Sequence, residues 1–135
     1  MMSRTILIAD DHAVLRQLLQ TQLKEWFADL DIVEAEDGEH AVAVAAEIGP
    51  DVVIMDLDLP GMSGIEATRA IKKLQPDTRI VVLTVHELEA YQAGAAEAGA
   101  DAYIAKRHIQ SKLRDVLTRM LAELPSSSNL STPGS

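Results

Sequence analysis

The sequence contains five short apolar runs, and four of them end in side chains that can bind a metal ion or take part in phosphoryl transfer. They are Asp10 and Asp11 after the first run, Asp56 and Asp58 after the third, Thr84 at the end of the fourth and Lys106 after the fifth. Carboxylates crowded together repel one another, so some protonate or a cation joins them. An all-oxygen set suits Mg²⁺, which also takes phosphate oxygens as ligands. A hydroxyl and an ammonium group would hold other oxygens of a bound phosphoryl group, and an aspartate carboxylate can itself form an acyl phosphate.

The elements that must position these groups alternate between two periodicities. Short apolar runs predict strands at Thr5–Ala9, Ile32–Ala35, Asp51–Met55, Arg79–Leu83 and Ala102–Ile104. Helical spacing predicts helices near Ala13–Phe27, Glu39–Ile48, Gly64–Leu74, Leu88–Ala98 and Gln110–Leu124. Strict strand–helix alternation indicates right-handed crossovers and one doubly wound parallel sheet of five strands with helices on both faces, an α/β fold. The carboxyl ends of all five strands then meet at one edge, where such folds bind ligands.

Each polar residue also has an ordinary structural explanation. Asp11 and Thr84 are suitable helix caps, Asp58 is a suitable turn former and Lys106 a suitable surface residue. The four histidines show no metal-ligand spacing, and we expect surface or packing roles for them; they are His12, His40, His86 and His108. The site interpretation is favoured because every acid, the hydroxyl and the lysine fall at one predicted edge of the sheet.

Composition limits the class of protein. The chain has 135 residues, of which 47% are apolar, so one domain with a proper core is expected. A formal net charge of −9 argues against direct nucleic-acid binding by this segment. With no cysteine, no apolar stretch long enough for a membrane span and no signal-peptide pattern, we expect a cytoplasmic protein that does not bind membranes. We expect a folded domain over residues 1–124 and a flexible linker or C-terminal tail, rich in serine, over residues 125–135.

The motifs at the strand ends resemble the receiver domain of two-component response regulators. The similarity lies in the acidic pair Asp10-Asp11, the run MDLDLPGMSG around Asp56, VVLT ending at Thr84 and AYIAK ending at Lys106, with similar gaps between them. This resemblance implies a flavodoxin-like sheet of strand order 2-1-3-4-5. The segments DDH, LTVHE and GIEAT look most like the subgroup whose output domain is a DNA-binding helix-turn-helix, so a missing C-terminal DNA-binding domain is expected.

By the same resemblance, Asp56 is the phosphoacceptor, and a sensor histidine kinase is the partner that supplies the phosphoryl group. Mg²⁺ is the implied cofactor, bound by Asp10, Asp11, Asp56 and the backbone carbonyl of Asp58. The domain is then a signalling protein that catalyses only its own phosphorylation and dephosphorylation, not a conventional enzyme.

Phosphoryl oxygens would be bound by Thr84 and Lys106, and the conformational switch would consist of Thr84 and Tyr103, by the same resemblance. The switch would control an output, for which transcription is the first expectation. Phosphorylation would also favour a homodimer. Many receivers have proline after the lysine, in a cis peptide. Here Arg107 follows Lys106, and a trans bond is expected because a cis bond without proline costs about 2.5–4 kcal/mol.

Three other interpretations remain open from the sequence. A small haloacid-dehalogenase-like phosphatase also uses an aspartate-x-aspartate pair, as in Asp56-Leu57-Asp58, but its nucleophile strand comes first in the chain. A degenerate receiver acting only as a binding module would lack site residues, and none is missing here. A stand-alone signalling receiver without a DNA-binding output fits the same residues.

Overall fold

Strands and helices alternate along residues 4–123, which are the residues described by the computed structural model. The strands are β1 Arg4–Ala9, β2 Leu30–Ala35, β3 Val52–Met55, β4 Arg79–Thr84 and β5 Ala102–Ala105. The helices are α1 Ala13–Trp26, α2 Gly38–Ile48, α3 Gly64–Leu74, α4 Glu89–Ala98 and α5 Arg114–Ala122. The predicted alternation is confirmed, and all but one of the boundaries agree with the predicted ones to within two residues.

The five strands form one parallel sheet in the order β2-β1-β3-β4-β5. This confirms the doubly wound, flavodoxin-like fold expected for the chain. The register pairs Ala9 of β1 with Met55 of β3, so the residues that follow these two strands begin side by side. The strand order therefore brings the acidic residues of the first and third loops together at the centre of the sheet edge.

Two apolar cores cover the two faces of the sheet. Alternate residues of β1 illustrate the division: Ile6 and Ile8 pack with α1 and α5, whereas Leu7 and Ala9 pack with α2 and α3. Every residue of β3 is buried, as expected of a central strand covered on both faces. Burying each large aliphatic side chain contributes roughly 1.5–3 kcal/mol, and this rigid base fixes the loops at the strand ends.

The segment after β5 differs from the single helix predicted over Gln110–Leu124. A 3₁₀ turn occupies Lys106–His108 and a π-helical turn occupies Ile109–Leu113 before the regular α5 begins. Lys106 faces Asp10 at the sheet edge while Leu113 is fully buried, and the changing turn width accommodates both positions. The expected trans bond between Lys106 and Arg107 is confirmed, since no peptide bond in residues 4–123 is cis.

Two further expectations concern the C-terminal tail and the absence of a membrane-spanning segment. The predicted linker or tail over residues 125–135 lies outside the described residues, as does the predicted last residue of the final helix, Leu124. Within residues 4–123, no helix has the length and apolar character needed to cross a bilayer.

Candidate functional site

Asp56 is held at the end of β3 by tightly packed backbone. Its N–H donates to the carbonyl of Ala9 at 2.9 Å, which continues the β1–β3 pairing one residue further. The following loop returns so closely that a Cβ added at Gly64 would lie 2.0 Å from the Asp56 carbonyl oxygen and 2.7 Å from Leu57 Cα. Glycine at position 64 thus lets the start of α3 pack directly against the backbone of Asp56.

Four side chains converge at this point in an acidic cluster. Asp10, Asp11, His12 and Asp56 each offer one candidate ligand atom, and these atoms all lie within 4.8 Å of one another. Asp10 and Asp56 are 3% exposed, whereas Asp11 and His12 face solvent. The cluster therefore has a buried floor of two carboxylates and an open side through which an ion or a phosphoryl group can enter.

Lys106 supplies the positive charge closest to this floor. Its Nζ donates to Asp10 Oδ2 at 3.0 Å and lies 3.5 Å from Asp56 Oδ2. The Asp56 Oδ1 atom accepts a bond from the N–H of Asp58 at 3.3 Å, but Asp56 Oδ2 is buried and has no hydrogen-bond donor within residues 4–123. One ammonium group faces three carboxylates, so the cluster keeps a negative excess that a divalent cation would neutralise.

Burial raises the pKa of Asp56 above its ordinary value, and the charge of Asp10 raises it further. Lys106 and the Asp58 N–H oppose these effects. The carboxylate form is therefore held in an unfavourable environment, with an oxygen that receives no hydrogen bond from the part of the chain that the structure describes. An orphaned carboxylate oxygen beside two more carboxylates fits a hard cation such as Mg²⁺.

Arg16 holds the first acidic loop in place, a role that sequence reasoning missed. Its Nη1 donates to the backbone carbonyl of Asp10 at 2.7 Å, and its Nε donates to Glu34 Oε1 at 2.7 Å. Arg16 is 8% exposed although it lies on α1. The available signal was its position between Leu15 and Leu19, on the side of the helix that packs on the sheet.

Beside the acidic cluster, His86 links the ends of β4, β5 and the loop after β3. Its N–H donates to the buried Thr84 hydroxyl at 3.1 Å, and its carbonyl accepts from the Tyr103 hydroxyl at 2.6 Å. Its ring Nε2 lies 2.7 Å from Asp58 Oδ2, and the ring stacks on Tyr91 with centroids 4.3 Å apart. Burial raises the pKa of Tyr103, which keeps its hydroxyl a donor.

The amino-acid sequence of this chain matches a known protein family. A family model described as the response regulator receiver domain matches residues 6–118. The chain belongs to this family. Receiver domains are signalling domains of two-component systems rather than conventional enzymes.

Curated relatives of this receiver domain include response regulators and a chemotaxis protein. The response regulator GacA of Pseudomonas aeruginosa is 37% identical over 105 residues, which are 75% of this chain and 47% of that protein. The chemotaxis protein CheY of Halobacterium salinarum is 37% identical over 120 residues, covering 89% of this chain and 98% of that protein. This receiver domain spans about half the length of most of the first curated relatives it matches, and some of them are transcriptional regulators.

Solved structures resemble this receiver domain over nearly all of its described residues. A two-component response regulator of the LuxR family from Aurantimonas is 34% identical with a TM-score of 0.83, covering 90% of this chain and 87% of that one. The receiver domain of a sensor histidine kinase from Pseudomonas aeruginosa is 26% identical with a TM-score of 0.80, covering 90% of this chain and 99% of that one. That receiver has a magnesium ion coordinated in its active-site cleft.

The receiver structure brings together four of the residues named from sequence, which are Asp10, Asp11, Asp56 and Lys106. Thr84 and Tyr103 lie in the adjoining network around His86, and no hydrogen bond joins the Thr84 hydroxyl to the acidic cluster within residues 4–123. The Asp58 carboxylate faces His86, which leaves only its backbone for the predicted metal role.

His12 is exposed, as expected of a surface histidine, but its ring also lies beside the acidic cluster, with Nδ1 3.0 Å from Asp10 Oδ1. The cause is local: the His12 N–H donates to the same Asp10 oxygen at 2.8 Å, and this tight turn folds the ring back over the carboxylate. Spacing between histidines cannot reveal such a turn.

Proposed function

We propose that this chain is a cytoplasmic response regulator receiver that accepts a phosphoryl group on Asp56 from a phosphohistidine of a sensor histidine kinase. The observation that carries the proposal is Asp56 Oδ2, a buried carboxylate oxygen that has no hydrogen-bond donor among the described residues 4–123 and lies 3.5 Å from Lys106 Nζ. An oxygen left free in this way is available as a nucleophile, and the ammonium group stands where it can bind the incoming phosphoryl group.

In the proposed transfer, an Asp56 carboxylate oxygen forms a bond to phosphorus while the bond between phosphorus and the donor imidazole nitrogen breaks. The electron pair of the broken bond stays on that nitrogen. Lys106 exchanges its contact with Asp10 for a phosphoryl oxygen, since only a short movement separates its two carboxylate partners. Thr84 donates its O–H to a further phosphoryl oxygen, because its bond with the His86 N–H uses the hydroxyl only as an acceptor.

Magnesium is the cofactor we propose for this reaction, held by Asp10, Asp11, Asp56 and the backbone carbonyl of Asp58. When bound, the ion would neutralise the negative charge of the carboxylates and of the phosphoryl oxygens. The support is the orphaned Asp56 oxygen, the excess of carboxylates over cations and the magnesium ion in the related kinase receiver.

The phosphoryl transfer can be tested with a small donor such as acetyl phosphate and intact-protein mass spectrometry. We expect one phosphoryl group per wild-type chain, in a reaction that chelation of the metal stops. Asp56→Asn should remain unmodified. Asp58→Asn is the matched control, because it keeps the backbone carbonyl and should still be labelled. Labelling of Asp56→Asn equal to wild type would contradict the assignment, and rapid multiple turnover of phosphate esters would favour the phosphatase alternative.

The proposed switch couples the phosphoryl group to α4 through Thr84 and Tyr103. Helix α4 buries only Ala95 and Ala98 fully, so little apolar area holds it in place. Such a weakly held element beside a site is suited to two-state behaviour. Phosphorylation would draw Thr84 away from the His86 amide, turn Tyr103 further inward and move residues 86–98.

Hydrogen exchange with and without beryllofluoride tests this switch. Residues 86–98 should change their protection in wild type, and Thr84→Ala should largely remove the change. A response confined to the loops that carry Asp10 and Asp56 would rule out the switch while leaving phosphorylation intact.

We also propose that the output is transcriptional and resides in a C-terminal DNA-binding domain, with no nucleic-acid contact by the receiver itself. The LuxR-family neighbour and the half-length coverage of the curated regulators support this proposal. A stand-alone signalling receiver is the second candidate, because the chemotaxis relative is matched over 98% of its length. Reading the parent gene past residue 135 distinguishes them, and size-exclusion chromatography with beryllofluoride tests the proposed homodimer.

A further inference from the structure

His12 presents a ring nitrogen to the acidic cluster. Its Nδ1 lies 3.0 Å from Asp10 Oδ1 and 3.2 Å from Asp11 Oδ1, although the side chain as a whole is 67% exposed. The ring is held there by the turn that bonds the His12 N–H to Asp10. The Nδ1 atom therefore lies at the open side of the cluster, above the two buried carboxylates.

A second observation concerns one carboxylate oxygen of the cluster, which lacks a hydrogen-bond donor within residues 4–123. Asp56 Oδ2 is buried and has no donor within residues 4–123, and Lys106 makes its shorter contact with Asp10 instead. Asp56 and His12 belong to the same group of four residues, each of which offers one candidate ligand atom within 4.8 Å of the others. An ion bound there would contact carboxylates from below and an imidazole from the solvent side.

The spacing of these atoms matches a six-coordinate ion. Metal–ligand bonds of ~2.1 Å at right angles place neighbouring ligand atoms ~3.0 Å apart. The distances from His12 Nδ1 to the two aspartate oxygens are 3.0 and 3.2 Å. Imidazole nitrogen favours ions such as Co²⁺ and Ni²⁺, whereas Mg²⁺ prefers oxygen and gains little from a nitrogen ligand.

We propose that His12 is a nitrogen ligand of the ion site. With this ligand, the receiver prefers borderline transition-metal ions to Mg²⁺ more strongly than a site made of oxygen ligands alone would. The inference rests on the acidic ion site of the proposed function and adds to it a residue that sets which ion is preferred. In a setting where such ions compete, His12 decides which of them occupies the site that faces Asp56.

Isothermal titration calorimetry with Mg²⁺ alone and with Co²⁺ alone tests the inference on the full chain at neutral pH. The informative variant is His12→Asn, which keeps a short polar side chain able to bond with Asp10 but replaces the nitrogen ligand. Loss of a direct ligand should cost at least the roughly tenfold in affinity that loss of an outer-shell partner costs. We expect Co²⁺ affinity to fall about tenfold or more, while Mg²⁺ affinity changes less than about threefold.

Two controls make the result specific. His40→Asn alters an exposed histidine outside the cluster and should leave both affinities unchanged. The visible spectrum of bound Co²⁺ should differ between wild type and His12→Asn, because nitrogen and oxygen ligands split its d orbitals differently. That readout does not depend on phosphorylation activity.

The outcomes separate this inference from the proposed function. Equal changes in Co²⁺ and Mg²⁺ affinity in His12→Asn, or an unchanged Co²⁺ spectrum, would overturn the role of His12 and leave the acidic site intact. Failure of wild type to bind either ion would overturn the ion site itself, and the proposed metal-dependent phosphorylation with it.

Discussion

Replacing Asp56 with asparagine should stabilise the metal-free receiver, because the carboxylate is held where burial and Asp10 raise its pKa. A group whose pKa is raised on folding favours the folded state only while it is protonated. The stability of wild type therefore falls as the pH rises from the unfolded-state pKa through the folded-state pKa of Asp56. Asparagine cannot ionise, so the variant should escape this loss.

The size of the effect can be estimated from the distances in the cluster. At an effective dielectric constant of about 20, charges at the 4.8 Å that bounds the cluster repel by roughly 3.5 kcal/mol, which is the least expected, and charges 3.5 Å apart attract by roughly 4.7 kcal/mol. Repulsion from Asp10 counts in full, whereas that from the more exposed Asp11 counts for about half because solvent screens it. The attraction to Lys106 then nearly cancels the repulsion.

What remains is mainly the extra cost of burying an unsatisfied oxygen in its charged form, which the neutral amide of asparagine avoids, about 1–3 kcal/mol. We therefore expect Asp56→Asn to gain on the order of 2 kcal/mol at neutral pH. For a domain of this size that free energy raises the Tm by roughly 8 °C.

Thermal unfolding in the presence of a chelator, from about pH 4 to about pH 8, measures this gain. The two proteins should unfold at similar temperatures at the acidic end and diverge as the pH rises. Added Mg²⁺ should narrow the gap, since at ~100 times Kd it stabilises wild type by about 2.7 kcal/mol and the variant by less. Asp31→Asn, at an exposed position of β2, is the control for loss of one surface charge. An equal or lower Tm for Asp56→Asn at neutral pH, or a gap independent of pH, would refute the reasoning.

Two further predictions concern the backbone that supports the site. Gly64→Ala should destabilise the domain by about 1–3 kcal/mol in denaturant unfolding. The new Cβ would collide with the backbone of Asp56, which cannot move aside as a flexible side chain would. Unchanged stability would contradict this close approach of α3 to Asp56. Arg16→Met should cost about 1–3 kcal/mol, since it leaves the Asp10 carbonyl without its buried donor, and it should weaken Mg²⁺ binding measured by calorimetry. Arg69→Met, which removes an exposed ion pair, should cost less than about 1 kcal/mol, and equal losses in both variants would argue against a special role for Arg16.

The fold and the centre of the site were predictable because they follow from periodicity and topology. The four apolar residues of β3 can be buried on both faces only in a covered parallel sheet, and all four are. Once the sheet is parallel, the residues after β1, β3 and β5 must share an edge, which is why Asp10, Asp56 and Lys106 meet. The start of α3 was equally readable, since Ser63 and Glu66 form the capping box that their spacing indicates.

The directions of individual side chains in the loops depend on the local turn geometry, which the spacing of apolar residues does not determine. Asp58 faces His86 rather than the cluster, and His12 faces the cluster rather than solvent alone. In each case a turn of two or three residues decides the direction of the side chain, and several turns fit the same letters. The π-helical turn after Lys106 has the same origin, because it reconciles two distant positions that only the folded chain brings into conflict.

The two residues of the proposed switch, Thr84 and Tyr103, are linked by hydrogen bonds to the backbone of His86. The N–H of His86 donates to the Thr84 hydroxyl, while its carbonyl accepts from the Tyr103 hydroxyl. If Thr84 moves toward a bound phosphoryl oxygen, as we propose, its bond with that N–H lengthens and the backbone two residues later is held less firmly. A shift of the His86 backbone displaces the carbonyl that accepts from Tyr103. It also displaces the His86 ring, which contacts Asp58 and, at the start of α4, Tyr91. Thus a movement of one hydroxyl at the buried end of β4 reaches β5 and α4 together, without a longer chain of contacts.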